Sequence, residues 1–190
     1  GLSIGKKEEK LGIRASDTTQ LYLNNCKISS ENLLGKEGDG YKIAMSALGG
    51  GRIGIASQAV GIARASLESA INYSSERKQF GKKINSFGAT QAKLADMATG
   101  IDAARLLVWK AAFLKDLKKK FIKESSMAKL FASEIAMKVS TECVQIHGGY
   151  GYIKEYGVER LMRDAKITQI YEGTSEIQQM VISKELIKFQ

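Results

Sequence analysis

Proline is missing from all 190 residues of this chain, although an average composition of about 5% would supply on the order of nine. Because proline interrupts helices, its absence favours long unbroken ones. Cys26 and Cys143 lie far apart without CxxC spacing, and His147 is the only histidine, so we expect neither a disulfide scaffold nor a metal site. A lone histidine is more often a packed side chain than a catalyst. No apolar run approaches the roughly 18 residues that span a bilayer, and we expect a soluble protein without a membrane partner.

Acidic residues are scarce relative to basic ones, and the formal charge is +9. Much of the excess lies in two lysine clusters, at 6–10 and 115–123. The charge suits nucleic acid, a membrane surface, an anionic small molecule or a protein partner. Aromatic residues are not interleaved with the lysines, and no predicted helix carries an arginine-rich face, so we expect no nucleic-acid partner.

The chain changes its apolar period after the first 40 residues. Its start reads as short strands at 12–14, 20–23 and 27–28. So few strands cannot bury a core, and we expect their partners upstream of Gly1 in a longer protein. Steps of three and four residues then predict the helices of a bundle. The predicted helices cover about 40–75, 84–118, 124–146, 158–166 and the residues after Ser175.

Three consecutive glycines, Gly49, Gly50 and Gly51, lie inside the first predicted helix. Each glycine costs about 1 kcal/mol there relative to alanine, so the run predicts that another group approaches the helix backbone closely. Gly49, Gly51 and Gly54 also match GxGxxG, but no strand precedes them and no ribose-binding acid follows. A dinucleotide-binding motif is therefore rejected.

The stretch 170–177 places a carboxylate, Glu172, directly before residues that start a helix. Thr174 and Ser175 predict an N-cap, and Glu176 lies in the first turn, where the helix dipole favours negative charge. This pattern fits a solvated loop acid as well as an active-site carboxylate. The residues by themselves leave both interpretations open.

A resemblance to the acyl-CoA dehydrogenases rests on five segments: 51–56 (GRIGIA), 76–82 (ERKQFGK), 94–97 (LADM), 145–151 (QIHGGYG) and 163–174 (RDAKITQIYEGT). The resemblance covers nearly the whole chain. It is nearest to the short-chain, butyryl-CoA type, also through 106–112 (LLVWKAA). It implies a mainly α fold, an up-and-down four-helix bundle at 37–190, preceded at 1–36 by a few strands from the end of the middle β-domain.

The family oxidises the Cα–Cβ bond of an acyl-CoA thioester. A glutamate removes the α-proton while the β-hydrogen leaves as hydride to FAD, and the resemblance implies that Glu172 is this base. Proton abstraction needs a carboxylate shielded from water and hydrogen bonds to the thioester oxygen; in the family the backbone N–H of the base donates one of them. Some relatives carry the base immediately before the arginine that matches Arg52, but Gly50 and Gly51 occupy those positions here.

The resemblance also implies binding residues. Those for FAD are Arg77, Phe80, Gln145, Ile146, His147, Gly148, Gly149, Thr174 and Glu176. Those for substrate are Gly49, Gly50, Gly51, Arg52, Tyr171 and Gly173. In the family, the site around Arg77 and Phe80 serves the FAD of a neighbouring subunit. Gly88 replaces the usual glutamine of the family, so that contact to FAD is absent unless Gln91 substitutes for it.

The resemblance therefore implies an FAD-dependent short-chain acyl-CoA dehydrogenase that forms a homotetramer and passes electrons to an electron-transfer flavoprotein. Its expected location is the bacterial cytoplasm or the mitochondrial matrix. By itself the chain is expected to bind FAD weakly or not at all and to be inactive. The alternatives are a non-catalytic helical assembly module and an acyl-CoA oxidase.

Overall fold

A computed structural model describes residues 1–187, and most of them are helical. The five α-helices are α1 (Gly40–Glu76), α2 (Gly88–Asp116), α3 (Ile122–His147), α4 (Val158–Ile167) and α5 (Ser175–Leu186). The prediction of a mainly α bundle is confirmed. α2 begins four residues later than predicted because Ile84–Ser86 form a separate 3₁₀ turn. Within the described residues, no helix is long and apolar enough to cross a membrane.

α3 lies at the centre of the packing. It contacts α1, α2, α4 and α5, while α1 also packs against α2 and α4. The buried faces carry mostly small side chains, among them Ala59, Ala63, Ala132 and Ala136. Small side chains let helix backbones approach closely, and larger residues such as Leu94 fill the margins of this core.

Buried serines add to this small-residue core without leaving their hydroxyls unpaired. Ser66 donates to the carbonyl of Ile62, and Ser133 to that of Leu130, each within its own helix. This back-bonding satisfies the hydroxyl where it cannot reach water. A serine therefore behaves as a small core residue on these faces.

The glycine triplet does not interrupt α1, because each glycine accommodates a different neighbour. An added Cβ would lie 2.8 Å from Ile122 Cδ1 at Gly49 and 3.1 Å from Lys115 Nζ at Gly50. At Gly51 it would lie 2.7 Å from a carboxylate oxygen of Glu172. The predicted close approach to the helix backbone is confirmed.

Several apolar residues that match the helical period are exposed in this chain. Tyr41 and Met45 on α1 belong to this group, as do Ile177 and Met180 on α5. On α5 the fully buried residue is the polar Gln178. Periodicity thus located both helices and the buried face of α1 from Ala59 to Ala70, but not the buried faces of the first turns of α1 and of α5.

The strands differ from the prediction. β1 (Leu2–Lys7) pairs antiparallel with β2 (Thr19–Leu23), with Leu2 opposite Leu23. Residues 12–14 and 27–28 are not strands. The predicted run at 20–23 lies within β2, whereas β1 was not predicted because its sequence, LSIGKK, lacks bounding turn residues.

A short hairpin follows α1. β3 (Lys78–Gln79) pairs with β4 (Lys82–Lys83) across Phe80 and Gly81, whose φ angles are +51° and +80°. Two positive φ angles in a two-residue loop define the type I′ turn that suits hairpin twist. Phe80 is thereby presented to solvent with 93% of its surface exposed.

The N-terminal segment docks on α4 through its backbone. Ile13 donates its N–H to Asp164 Oδ1 at 2.6 Å, and Arg163 Nη1 donates to the carbonyl of Leu11 at 2.6 Å. A side chain on the intervening Gly12 would collide with the carbonyl of Arg163, 2.5 Å from an added Cβ. These contacts anchor the segment beside the turn that carries Glu172.

Candidate active site

The turn between α4 and α5 carries Glu172 in an unusual backbone conformation. Glu172 has a φ of +54° and Gly173 a φ of +94°. A left-handed conformation at a residue with a side chain costs on the order of 1–3 kcal/mol and persists only where the surroundings enforce it. Thr174 then caps α5, its hydroxyl accepting the N–H of Ile177 at 3.5 Å. The predicted helix start is confirmed.

The carboxylate of Glu172 lies directly against α1. A Cβ at Gly51 would meet Oε2 at 2.7 Å and Oε1 at 3.3 Å, so only glycine leaves room for it. Oε2 is buried and accepts no hydrogen bond from any described residue. Glu172 is half-buried, and one of its carboxylate oxygens is shielded from water without a hydrogen-bond partner among the described residues.

Arg52 follows Gly51 on α1 and is also buried, with 8% of its surface exposed. Its Nη1 donates to Ser126 Oγ on α3 at 3.1 Å, while its Nε is buried without a partner. Burial lowers the pKa of Arg52, and the negative charge of Glu172 opposes that shift. Arg52 remains a cation beside the carboxylate.

Two further buried side chains reach the turn, and sequence reasoning missed both. Lys129 on α3 donates from Nζ to the carbonyl of Gly173 at 2.6 Å. Gln178 on α5 donates from Nε2 to the carbonyls of Glu172 and Gly173, at 3.1 and 2.9 Å. The only sequence signal for Lys129 is a charge on the otherwise small and apolar face of α3. Gln178 has no such signal, since the apolar period of α5 predicts its neighbours, and not Gln178, to be buried.

Four of the six predicted substrate residues lie around Glu172, and together with it they form what we call the Glu172 corner. Gly51, Arg52, Tyr171 and Gly173 surround Glu172, and Tyr171 donates its hydroxyl to Gln58 on α1. Burial raises the pKa of Tyr171, so its hydroxyl keeps its proton at neutral pH. Gly49 and Gly50 instead face Ile122 and Lys115, further along α1.

Buried polar atoms without a hydrogen-bond partner are concentrated around the turn that carries Glu172. Within residues 1–187, the buried side-chain nitrogen and oxygen atoms without a partner are Arg52 Nε, Glu172 Oε2, Ser175 Oγ and Gln178 Oε1. Buried polar groups in folded proteins are nearly always paired. Their concentration around one turn indicates a place that a polar ligand completes.

A second region lies at the opposite end of α3. An open cavity of about 470 Å³ is lined by Tyr73, Arg77, Gln79, Ile84, Ile146, His147, Gly148, Gly149, Tyr150 and Ile153. Five predicted cofactor residues belong to this lining. Phe80 projects into solvent nearby and Gln145 is exposed. Arg77 stacks over the Tyr150 ring at 5.2 Å, which leaves its guanidinium at the cavity.

The remaining predicted cofactor residues lie far from this cavity. Thr174 and Glu176 belong to the Glu172 corner, where the hydroxyl of Thr174 lowers the pKa of Glu176 by hydrogen bonding. From Lys129 to His147 α3 rises by about 27 Å at 1.5 Å per residue. Gly88 and Gln91 are exposed, and Gln91 donates to the carbonyl of Asn85 at 3.1 Å.

His147 is packed within the cavity wall. Its ring stacks on Tyr73 with centroids 4.2 Å apart, and its Nδ1 lies 2.8 Å from the carbonyl of Cys143. Burial lowers the pKa of His147, so the ring is neutral near pH 7. Burial also raises the pKa of the Cys143 thiol to about 12, which leaves it unreactive. The interpretation of His147 as a packed side chain agrees with this geometry.

The structure is a helical bundle in which one carboxylate oxygen of Glu172 is buried against Gly51 of the neighbouring helix. The chain belongs to the acyl-CoA dehydrogenase family: the family described as "Acyl-CoA dehydrogenase, C-terminal domain" matches residues 38–187.

Named relatives agree with this assignment. The chain is 57% identical over 188 residues to the mitochondrial short-chain specific acyl-CoA dehydrogenase of Mus musculus, covering 99% of this chain and 46% of that protein. The solved butyryl-CoA dehydrogenase of Megasphaera elsdenii is 55% identical with a TM-score of 0.97, over 98% of this chain and 49% of that one.

A further similar structure is described as "Electron transferring flavoprotein of Acidaminococcus fermentans". The matched chain is 53% identical with a TM-score of 0.98, over 99% of this chain and 50% of that one. The chain thus spans about half the length of the proteins it matches.

Proposed function

We propose that the intact protein containing this chain is an FAD-dependent acyl-CoA dehydrogenase that converts short-chain acyl-CoA thioesters to trans-2-enoyl-CoA. The observation that carries the proposal is the Glu172 carboxylate, buried against Gly51 with Oε2 free of partners. The names of the similar proteins support the short-chain substrate.

Glu172 acts as the base of this reaction. Its carboxylate takes the α-proton, and the electron pair of the broken Cα–H bond becomes the Cα=Cβ double bond. The chemistry that FAD supplies when bound is acceptance of the β-hydrogen as hydride. The backbone N–H of Glu172 makes none of the hydrogen bonds found among residues 1–187, so it is free to donate to the thioester oxygen and stabilise the developing negative charge.

The remaining substrate residues shape the approach to this carboxylate. Gly51 supplies a surface without side chains, which lets the acyl α-carbon come close to Oε2. Arg52 holds a positive charge beside the site and keeps its Nε available. Tyr171, fixed by Gln58, closes one side of the turn.

The fit of FAD rests on two separate groups of residues. The cavity offers Arg77, a donor for phosphate, and Gly148, whose φ of +61° brings backbone into the wall. Thr174 and Glu176 stand at the start of α5, where the helix dipole favours negative charge. Because the two groups lie at opposite ends of α3, we infer that one FAD is held between two subunits.

An FAD site shared in this way needs at least two subunits, and we propose that the intact protein is a homotetramer, built as a dimer of dimers. An exposed apolar stripe on α2, formed by Leu106, Trp109 and Phe113, supports assembly because each is more than half exposed. Residues 1–36 are the end of a middle β-domain and 37–190 the helical domain. The intact protein works in the bacterial cytoplasm or the mitochondrial matrix.

Its electrons pass to an electron-transfer flavoprotein. The similarity to the structure described under that name supports this partner. An acyl-CoA oxidase is the neighbouring enzymatic alternative. Rapid reoxidation of the substrate-reduced protein by oxygen, measured by stopped flow, would favour the oxidase, whereas slow reoxidation with rapid transfer to the flavoprotein supports the dehydrogenase.

Substitution of the base tests the proposal directly. In the intact protein, Glu172→Gln should abolish reduction of the flavin by butyryl-CoA while FAD stays bound, because the amide cannot take the α-proton. The absorbance of the flavin measures both. Glu185→Gln changes an exposed acid on α5, the helix that follows the turn; it is the matched control and should react like the parent. Turnover by Glu172→Gln would remove Glu172 as the base.

The 190 residues by themselves should behave as a helical module. We expect weak or absent FAD binding and no dehydrogenation, because one chain supplies only part of each FAD contact. Tight stoichiometric FAD in the purified module, seen as flavin absorbance, would contradict this expectation.

A further inference from the structure

Two fully buried polar side chains converge on the backbone of the turn at Glu172. Lys129 reaches it from α3 and Gln178 from α5, and neither has exposed surface. Their three hydrogen bonds, of 2.6, 2.9 and 3.1 Å, end on the carbonyls of Glu172 and Gly173 and on no other group. Both side chains therefore act on the conformation of the backbone that carries the carboxylate.

Burying these two polar side chains costs free energy, which argues against a role in simple packing. A buried ammonium loses its hydration, and none of the ion pairs found among residues 1–187 includes Lys129. Burial, and then the nearby Arg52, lower the pKa of Lys129 to about 8. A methionine would fill the same space without this penalty.

The turn itself needs support of this kind. The left-handed Glu172 is strained, and strained backbone persists only when neighbouring groups hold it. Gly173 fits the arrangement closely, since an added Cβ there would lie 2.7 Å from Gln178 Nε2. The conformation that Lys129 and Gln178 hold is also the one that places the carboxylate against Gly51.

We propose that Lys129 and Gln178 are positioning residues for Glu172, which hold the carbonyls of residues 172 and 173 so that the carboxylate faces the bare backbone of Gly51. The inference rests on the proposed role of Glu172 as the base. Neither residue touches the reacting atoms. Their loss slows proton abstraction through misplacement of the carboxylate, whereas substrate affinity and FAD content stay close to those of the parent.

The test measures proton abstraction apart from hydride transfer. In the intact protein with FAD bound, exchange of the α-hydrogens of butyryl-CoA with D₂O is followed by proton NMR, together with kcat, KM and flavin content. Lys129→Met removes the donor and leaves an unbranched apolar side chain that is one atom shorter. Since a misplacement of 1 Å can cost about 100-fold in rate, we expect α-exchange and kcat to fall about 10- to 100-fold with KM changed less than about 2-fold.

A graded variant separates positioning from general loss of packing. Lys129→Gln keeps a donor on a side chain one atom shorter, and we expect it to recover part of the exchange rate lost in Lys129→Met. Lys138→Met makes the same change at an exposed site of α3 and should exchange like the parent. Parental exchange by Lys129→Met, or equal losses in the Met and Gln variants, would overturn the proposal.

Gln178→Met provides a second test if Lys129→Met does not fold, because it replaces a neutral side chain and leaves the hydrogen bond of Lys129 to Gly173 in place. It should show the same fall in exchange with KM preserved, and parental exchange would count against the proposal. Glu172→Gln separates the two ideas. If Glu172→Gln retains exchange, the base assignment fails; if it loses exchange while the Lys129 and Gln178 variants keep it, only the positioning role fails.

Discussion

The two ends of α3 carry two different kinds of polar site. Near Lys129, the Glu172 corner has strained backbone and four buried polar atoms without partners. Near His147, the polar groups of the cavity wall satisfy one another: His147 bonds to the Cys143 carbonyl, its ring stacks on Tyr73, and Arg77 stacks over Tyr150. Unpaired buried groups suit a site where a ligand reacts, whereas paired and stacked groups form a wall suited to binding.

The difference extends to the way each end is built. The corner draws residues from α1, α3, the turn and α5, which meet only through tertiary packing. The residues that line the cavity all come from two continuous stretches, 73–84 and 146–153. Substitutions in the Glu172 corner should therefore slow the dehydrogenation reaction, and substitutions in the cavity wall should weaken the binding of FAD.

The largest effect is expected from a substitution of Gly51, which lies in the Glu172 corner. Gly51→Ala places a Cβ 2.7 Å from Glu172 Oε2, so the carboxylate must move, and we expect kcat with butyryl-CoA to fall about 100-fold or more. Stopped-flow reduction of the flavin measures this rate. Gly54→Ala, on the same helix with no atom within 4 Å of the new Cβ, is the control, and equal rates for both variants would contradict the geometry.

A smaller effect is expected at the cavity. Arg77→Met removes a charged donor, and loss of one charge-assisted hydrogen bond costs about 1.5–3 kcal/mol, so FAD affinity in the intact protein should fall about 10-fold or more. Fluorescence titration of the FAD-depleted protein measures the dissociation constant. Arg64→Met changes an exposed arginine that pairs with Glu68; if it weakens FAD as much as Arg77→Met, the cavity is not the binding wall.

The smallest effect concerns stability and pH at the corner. The folded pKa of Lys129, about 8, lies below its ordinary value of 10.5. Between these values the unfolded state binds more protons, so this lysine makes the folded state more stable as pH rises from about 8 to 10.5. Arg52, Glu172 and Glu176 are the charged groups that act on it.

Lys129→Met should lack this rise. Relative to that variant, the parent should gain up to about 1.4 kcal/mol of unfolding free energy per pH unit, measured by denaturant unfolding at several pH values between about 7.5 and 9.5. Contributions from other groups cancel in the difference. A constant difference across this range would show that burial does not lower the pKa of Lys129.

Local signals predicted much of the helical architecture. Proline-free steps of three and four located α1 and α3 to within about two residues, and Thr174 marked the start of α5. The strands were harder to predict from the sequence, because the pairing of β1 with β2 joins residues separated by an irregular loop. Buried faces were also misassigned where small residues pack and large ones are exposed, as at Met45 and Ile177.

For the site, the sequence by itself determined the local chemistry: a carboxylate before a glycine and a capped helix, and a glycine triplet in α1. These features lie within one or two turns of chain, where local rules hold. Only the tertiary structure decided that Glu172 rests on Gly51, that Arg52 pairs with Ser126, and that Lys129 and Gln178 hold the turn. Those contacts join residues up to 121 positions apart, and no local pattern records which buried face meets which turn.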